Sequence, residues 1–139
     1  MCSSDLAAAL PYVDHLLPNE DQVLGFTGES DLLTGARKLL AAGVGVVAVT
    51  RGGDGALVVT ADGAEPVPAF EIDVVDTTGC GDAFSAGYLR GVALGRAPGD
   101  AAVLGSAAAA LVAQGLGSDH GDFDLAAADA FAATHKTRQ

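Results

Sequence analysis

The hydrophobic positions between residues 31 and 42 recur at the spacing of one helix face. The residues that form this face are Leu32, Leu33, Ala36, Leu39 and Leu40. Because residues three and four positions apart share a face, the pattern predicts a helix over 31–42, with Ser30 as its N-cap. Gly43 follows, and glycine is a favoured residue just beyond the C-terminus of a helix.

The next segment changes from the helical period to a run of β-branched residues. Residues 44–50 read Val-Gly-Val-Val-Ala-Val-Thr. The run contains no alternating polar positions, which is typical of a strand buried on both faces, as in a parallel sheet. Residues 56–60 and 65–70 are predicted to pair as a hairpin around Asp62-Gly63.

The remaining patterns predict further strands and helices on both sides of this segment. A short strand is expected at 13–17, and a short helix from Asn19 or Glu20 to Gly25. One further helix is predicted to begin within residues 76–82 and to run to about Gly95, and two others are predicted at 99–114 and 125–134. The helix at 99–114 is almost entirely Ala, Val and Leu, with no charge after Asp100, so it must be buried. Strands that alternate with helices predict an α/β sandwich.

The charge balance excludes several classes of partner. The 139 residues include 18 acidic residues and 7 Lys or Arg, which gives a net charge of −11. Nucleic acids and anionic membranes require clusters of basic residues, so neither is an expected partner. No apolar run reaches the roughly 18 residues of a membrane span. Two cysteines form no disulfide framework, and a cytoplasmic location is expected.

Residues 76–82, Asp-Thr-Thr-Gly-Cys-Gly-Asp, are the strongest indication of chemistry. Gly79 and Gly81 fall in the first turn of a predicted helix, although each costs about 1 kcal/mol relative to Ala. Glycine allows close backbone approach, so the amides of Gly79, Cys80 and Gly81 can converge on one anion at the positive end of the helix dipole. Asp82 would project beside that anion. Phosphoryl transfer needs this arrangement, with amides on the transferring group and a carboxylate to deprotonate the attacking hydroxyl.

Three alternatives to this interpretation differ in what they require. A plain helix start would use Thr78 or Gly79 as the N-cap, but it needs neither Gly81 nor repeated threonines. A dinucleotide-binding oxidoreductase half would also place Gly79-x-Gly81 after a strand, but its third glycine position is Phe84, which is too bulky. A folded nucleotide-binding remnant without turnover is the third. A Walker-type P-loop is excluded, since no Gly-Lys-Ser/Thr occurs.

Residues 76–84, which continue the segment with Ala-Phe, resemble the C-terminal signature of the PfkB/ribokinase-like carbohydrate kinases. The resemblance implies a ribokinase-like α/β/α sandwich and ATP-dependent phosphoryl transfer to a hydroxyl of a sugar or nucleoside. It makes Asp82 the catalytic base, and it makes Gly79, Cys80 and Gly81 the anion hole. Cys80 stands where the family usually has Ala, but its backbone amide can serve equally.

The same resemblance assigns cation sites. Asp76 and Thr78 would help to bind a monovalent cation such as K⁺, as in some family members. Residues 17–22, Leu-Pro-Asn-Glu-Asp-Gln, resemble a segment that organises Mg²⁺ and phosphate. In it Asn19 matches the family, while Gln22 occupies the acidic position and could only hydrogen-bond a metal-bound water. A plain helix cap by Asn19 explains this segment nearly as well.

A third segment, residues 49–55 (Val-Thr-Arg-Gly-Gly-Asp-Gly), resembles the family sequence that lies along the nucleotide. Thr50, Gly52 and Gly55 take that role by resemblance. Ser106 falls where many relatives place an Asn near the nucleotide, and it can still donate one hydrogen bond. ATP and Mg²⁺ are therefore the expected cofactors.

The resemblance extends over nearly the whole chain but only over the C-terminal half of the family. We therefore expect residues 7–139 to be the nucleotide-binding, catalytic-base part of a kinase, with a truncated sheet and no activity alone. Residues 1–6 are expected to be a non-native leader, because Met-Cys-Ser-Ser-Asp-Leu matches the translation of a common sequencing-adapter end. The expected partner is a small sugar or nucleoside, and the intact enzyme is compatible with a homodimer.

Overall fold

The computed structural model describes residues 8–70, 80–113, 125–134 and 137. The chain divides into two compact units. One consists of residues 1–51 and 57–66, and the other of residues 52–56 and 67–139. Within the described residues, no helix combines the length and the apolar character that crossing a membrane requires.

The first unit is an α/β unit built on a four-stranded mixed sheet. Its elements are β1 (His15–Leu16), α1 (Glu20–Thr27), α2 (Leu32–Ala41), β2 (Val46–Thr50), β3 (Ala56–Thr60) and β4 (Gly63–Val67), preceded by a 3₁₀ helix at Leu10–Tyr12. The strand order is β1-β2-β3-β4. β1 and β2 are parallel, with His15 opposite Val46 and Leu16 opposite Val47. The α/β fold expected from the sequence is confirmed.

The core of this unit forms around β2. Val47, Ala48 and Val49 are all completely buried, which confirms the prediction of a strand covered on both faces. The core cluster consists of Leu10, Val23, Ala36, Leu39, Val44, Val47, Val49 and Val59. The helical face predicted from spacing therefore contributes two residues, Ala36 and Leu39, to the center of the cluster.

Two helix boundaries differ from the predictions for local reasons. Asp31, not Ser30, caps α2, because its carboxylate accepts hydrogen bonds from the Thr34 amide at 3.0 Å and the Thr34 hydroxyl at 2.7 Å. These bonds hold the pKa of Asp31 below its ordinary value. α1 continues through Gly25 and ends at Gly28, whose φ of 72° lies in the left-handed region that glycine tolerates best.

The second unit is helical in its described part. Its elements are a 3₁₀ helix at Gly52–Asp54, α3 (Cys80–Ala93), α4 (Pro98–Ala113) and α5 (Leu125–Thr134). α4 is buried along most of its length, as its uncharged sequence predicts. Arg96 donates to both carboxylate oxygens of Asp129 on α5, at 2.8 and 2.9 Å. Phe70 and Phe131 pack edge to face with ring centroids 5.2 Å apart.

Candidate active site

The first turn of α3 contains Asp82, the predicted base, at an exposed position. Gly81 precedes it, and no described atom outside its own helical turn lies within 4 Å of where a side chain would begin. Among the described residues, the turn therefore has open space beside a carboxylate, at the end of a helix where backbone amides and the dipole favour anions. Gly79, Asp76 and Thr78 lie outside the described residues.

Cys80, in the same turn, is also predicted to contribute to the anion hole. Its side chain is half-buried, and its thiol donates to the Ala109 carbonyl at a sulfur–oxygen distance of 3.6 Å. The side chain is thus directed to the neighbouring helix α4, so the backbone amide is the group that Cys80 would offer to an anion.

Close packing against α4 supports α3. A Cβ at Gly87 would lie 2.9 Å from the Gly105 Cα, and one at Gly91 would lie 2.8 Å from the Ala101 Cα. Contacts this short with backbone atoms exclude any side chain at these positions. Gly87 and Gly91 thus form a smooth packing face, and this face holds the helix that carries Asp82.

The aromatic residues of α3 anchor the same helix. Phe84 is 3% exposed and Tyr88 is completely buried, and their rings stack with centroids 6.3 Å apart. Burial raises the pKa of Tyr88 to about 12, because the phenolate is costly to form away from water.

Ser106, the predicted nucleotide contact, is buried on the adjacent helix α4.

In the first unit, the segments 17–22 and 49–55 meet at the ends of β1 and β2. The Thr50 amide donates to the Pro18 carbonyl at 2.9 Å, and Asn19 forms a parallel β-bridge with Thr50. The pairing fixes the entry to α1 against the exit of β2. Ligands of parallel α/β sheets commonly bind at the carboxyl ends of strands.

Asn19 and Gln22 form a reciprocal capping box at the start of α1. The Gln22 amide donates to Asn19 Oδ1 at 2.8 Å, and the Asn19 amide donates to Gln22 Oε1 at 2.9 Å. Both predicted ligand residues therefore have a structural role in this helix. The described residues contain no cluster of three or more His, Cys, Asp or Glu arranged to hold a metal ion.

The two glycines assigned to nucleotide binding differ in their surroundings. Gly52 has a φ of +58° and no described atom within 4 Å of a built Cβ, so a ligand could approach it. Gly55 has a φ of +91°, and a Cβ there would overlap the Val67 carbonyl oxygen and lie 2.7 Å from the Ala69 nitrogen. Glycine at position 55 is thus required by the backbone alone.

A charged pair beside these segments was not predicted from the sequence. Arg51 Nε lies 3.7 Å from a carboxylate oxygen of Glu20. Glu20 directly follows Asn19, and Arg51 directly follows Thr50, so the bridge between Asn19 and Thr50 brings the two charged residues together. That bridge joins residues about 30 positions apart, which local patterns cannot pair.

These elements define an α/β protein with the ribokinase fold. The first turn of its helix α3 contains an exposed carboxylate, Asp82, next to a glycine. The chain belongs to the pfkB family of carbohydrate kinases, whose family model matches residues 2–123. Both the fold and the family implied by the signature at 76–84 are confirmed.

Individual relatives agree with this assignment. A cytidine kinase of Thermococcus kodakarensis is 41% identical over 87 residues, covering 60% of this chain and 31% of the relative. The ribokinase structure from Thermotoga maritima has a TM-score of 0.83 at 32% identity, covering 90% of this chain and 44% of that one. An E. coli protein provisionally called ribokinase II, in complex with ATP and Mg²⁺, has a TM-score of 0.86 at 28% identity, covering 95% and 43%. The chain spans less than half the length of each.

Proposed function

We propose that this chain provides the nucleotide site and catalytic base for ATP-dependent phosphoryl transfer to a hydroxyl of a sugar or nucleoside. One observation carries the proposal: Asp82 is exposed in the first turn of α3, directly after a glycine that leaves open space. The family membership and the names of the relatives support the same reaction class.

The oxygen of the acceptor hydroxyl attacks the γ-phosphorus, and ADP leaves. Asp82 accepts the proton that the hydroxyl loses. The backbone amides of Gly79, Cys80 and Gly81 hold the transferring phosphoryl group and stabilise the charge on its oxygens. Nucleotide contacts are assigned to Asn19, Thr50, Gly52, Gly55 and Ser106.

Oxygen donors near the start of α1 fit Mg²⁺, which prefers carboxylate, amide and water oxygens. Asp21 places a carboxylate in the first turn of α1, next to the Gln22 amide. Because Gln22 Oε1 already accepts the Asn19 amide, Gln22 would act through a metal-bound water. When bound, Mg²⁺ neutralises phosphate charge. A monovalent cation such as K⁺ at Asp76 and Thr78 completes the proposed set.

Phe84 favours a kinase over a dinucleotide-binding oxidoreductase. At the position where a dinucleotide fold needs a third glycine, this chain has a buried ring stacked on Tyr88. A bulky residue there prevents the close helix contact on which that fold depends.

Titration calorimetry of the chain with Mg·ATP and with NAD tests the assignment. We expect saturable binding of ATP and none of NAD; the reverse result would contradict the proposal.

Phosphoryl transfer by the isolated chain is a separate test. Most of the rate in this chemistry comes from positioning, and we propose that the groups that position the acceptor lie outside this chain. Assays with a panel of sugars and nucleosides should give no acceptor-dependent turnover near the ordinary enzymatic scale of about 1 s⁻¹ or faster. Turnover at that rate would show that the chain is self-sufficient.

A further inference from the structure

Arg51 has a polar atom whose hydrogen-bonding capacity is not used. Its Nε is buried and has no hydrogen-bond partner among the described residues. The Glu20 carboxylate, at 3.7 Å, attracts the guanidinium but is too far away for a hydrogen bond. The Arg51 side chain as a whole is 35% exposed, so part of it remains accessible to a ligand.

The backbone around Arg51 is held in place. The preceding residue, Thr50, donates its amide to Pro18 and bridges Asn19. The following residue, Gly52, has a positive φ and open space around it. Arg51 therefore projects from a fixed strand end, next to a position that a ligand can approach.

The charge balance makes a cation at this place notable. The chain has 7 Lys or Arg against 18 acidic residues. Among the described residues, Arg96 is paired with Asp129 at 2.8 Å, Lys38 with Glu29 at 3.2 Å, and Arg51 with Glu20 at the longer distance of 3.7 Å. The carboxylates of this acidic chain repel a triphosphate, and the Arg51 guanidinium together with a bound Mg²⁺ would offset that repulsion.

We propose that Arg51 is a phosphate-binding residue for the nucleotide, with Glu20 as a positioning residue that holds the guanidinium. This inference rests on the proposed ATP-dependent function. A guanidinium presents a planar fork of donors that pairs with phosphate oxygens through charge-assisted hydrogen bonds. The exposed part of the guanidinium is the part that such a ligand would contact.

The test is calorimetric titration of the full chain with ATP, ADP and adenosine, in the presence of Mg²⁺. Arg51→Gln should weaken ATP binding by about 10-fold or more, as expected for charged hydrogen bonds to phosphate. Adenosine binding should change less than about 2-fold, because adenosine has no phosphate for Arg51 to contact. Arg51→Lys should restore part of the ATP affinity. Arg37→Gln, an equal charge loss at an exposed position on α2, is the matched control and should leave ATP binding unchanged.

Glu20→Gln tests the positioning role. It should weaken ATP binding in the natural background but have no further effect in the Arg51→Gln background, since acting through another residue makes the two changes non-additive. Additive effects would overturn the role of Glu20.

Two outcomes separate this inference from the proposed function. If Arg51→Gln leaves ATP binding unchanged, or weakens ATP and adenosine equally, Arg51 does not contact phosphate. If the unmodified chain binds neither ATP nor adenosine, the proposed function itself fails. Circular dichroism and thermal melting of each variant, with Arg51→Lys as the conservative change, distinguish lost binding from lost folding.

Discussion

The first turns of α1 and α3 use similar chemistry for different purposes. At α1, Asn19 and Gln22 satisfy each other's backbone amides in a capping box, so the helix start is stabilised by its own side chains. At α3, Gly81 has no side chain, no described atom outside its own turn lies within 4 Å of where one would begin, and the Asp82 carboxylate is exposed. A helix start that supplies its own acceptors stabilises the fold, whereas one with open space can accept a ligand.

The largest effect should come from the carboxylate of α3. In the proposed kinase, Asp82→Asn keeps the shape but removes the base, so turnover should fall by about 10²-fold or more, with ATP affinity little changed. Steady-state kinetics with a sugar or nucleoside acceptor measures this. Asp100→Asn, an exposed Asp in the first turn of α4, should leave turnover near normal. Near-normal turnover of Asp82→Asn would remove the distinction between the two helix starts.

A second prediction concerns the anchor of α3. The folded state raises the pKa of Tyr88 from 10.0 to about 12. The corresponding stability is therefore complete below pH 10 and is lost as the pH rises toward 12, because only the unfolded chain ionises in that window. We expect a loss of roughly 2–3 kcal/mol in the free energy of unfolding across it. Urea titrations at successive pH values measure the free energy of unfolding as a function of pH. Between pH 10 and 12 it should fall less steeply for Tyr88→Phe than for the unmodified chain. An equal fall would mean that other groups cause the loss.

The capping box gives a prediction for α1. Asn19→Ala should lower the free energy of unfolding by about 1 kcal/mol, the usual cost of losing an N-cap. Gln22→Glu should preserve stability, since Glu also completes a capping box. If Gln22 also acts on a metal-bound water, the added charge should lower the Mg²⁺ concentration needed for ATP binding. An unchanged Mg²⁺ requirement would limit Gln22 to capping.

The smallest effect should be a gain in stability at α3. Gly81→Ala should raise the free energy of unfolding by roughly 0.5–1 kcal/mol, because glycine is a poor helix former and no described atom opposes the new methyl group. The same methyl group should weaken ATP binding. Gly87→Ala is the contrasting control and should destabilise, since its Cβ would meet Gly105. A Gly81→Ala variant that is more stable and still binds ATP normally would contradict the anion site.

Much of the fold follows from local patterns. The predicted helices at 99–114 and 125–134 correspond to Pro98–Ala113 and Leu125–Thr134. Hydrophobic periodicity specifies such elements because a helix is formed by contacts within a few residues of the chain. Local patterns do not fix a helix boundary where two adjacent residues can both act as the N-cap, as Ser30 and Asp31 can. The hydrogen bonds in the structure identify Asp31 as the N-cap.

The sequence by itself determined the family, the order of the elements and the candidate base, because these depend on motifs and spacing within short segments. The tertiary structure decided which segments meet. The pairing of Thr50 with Pro18 and Asn19, and with it the approach of Arg51 to Glu20, depends on the register between β1 and β2. That register joins residues about 30 positions apart, and patterns within one short segment do not specify which segments pair.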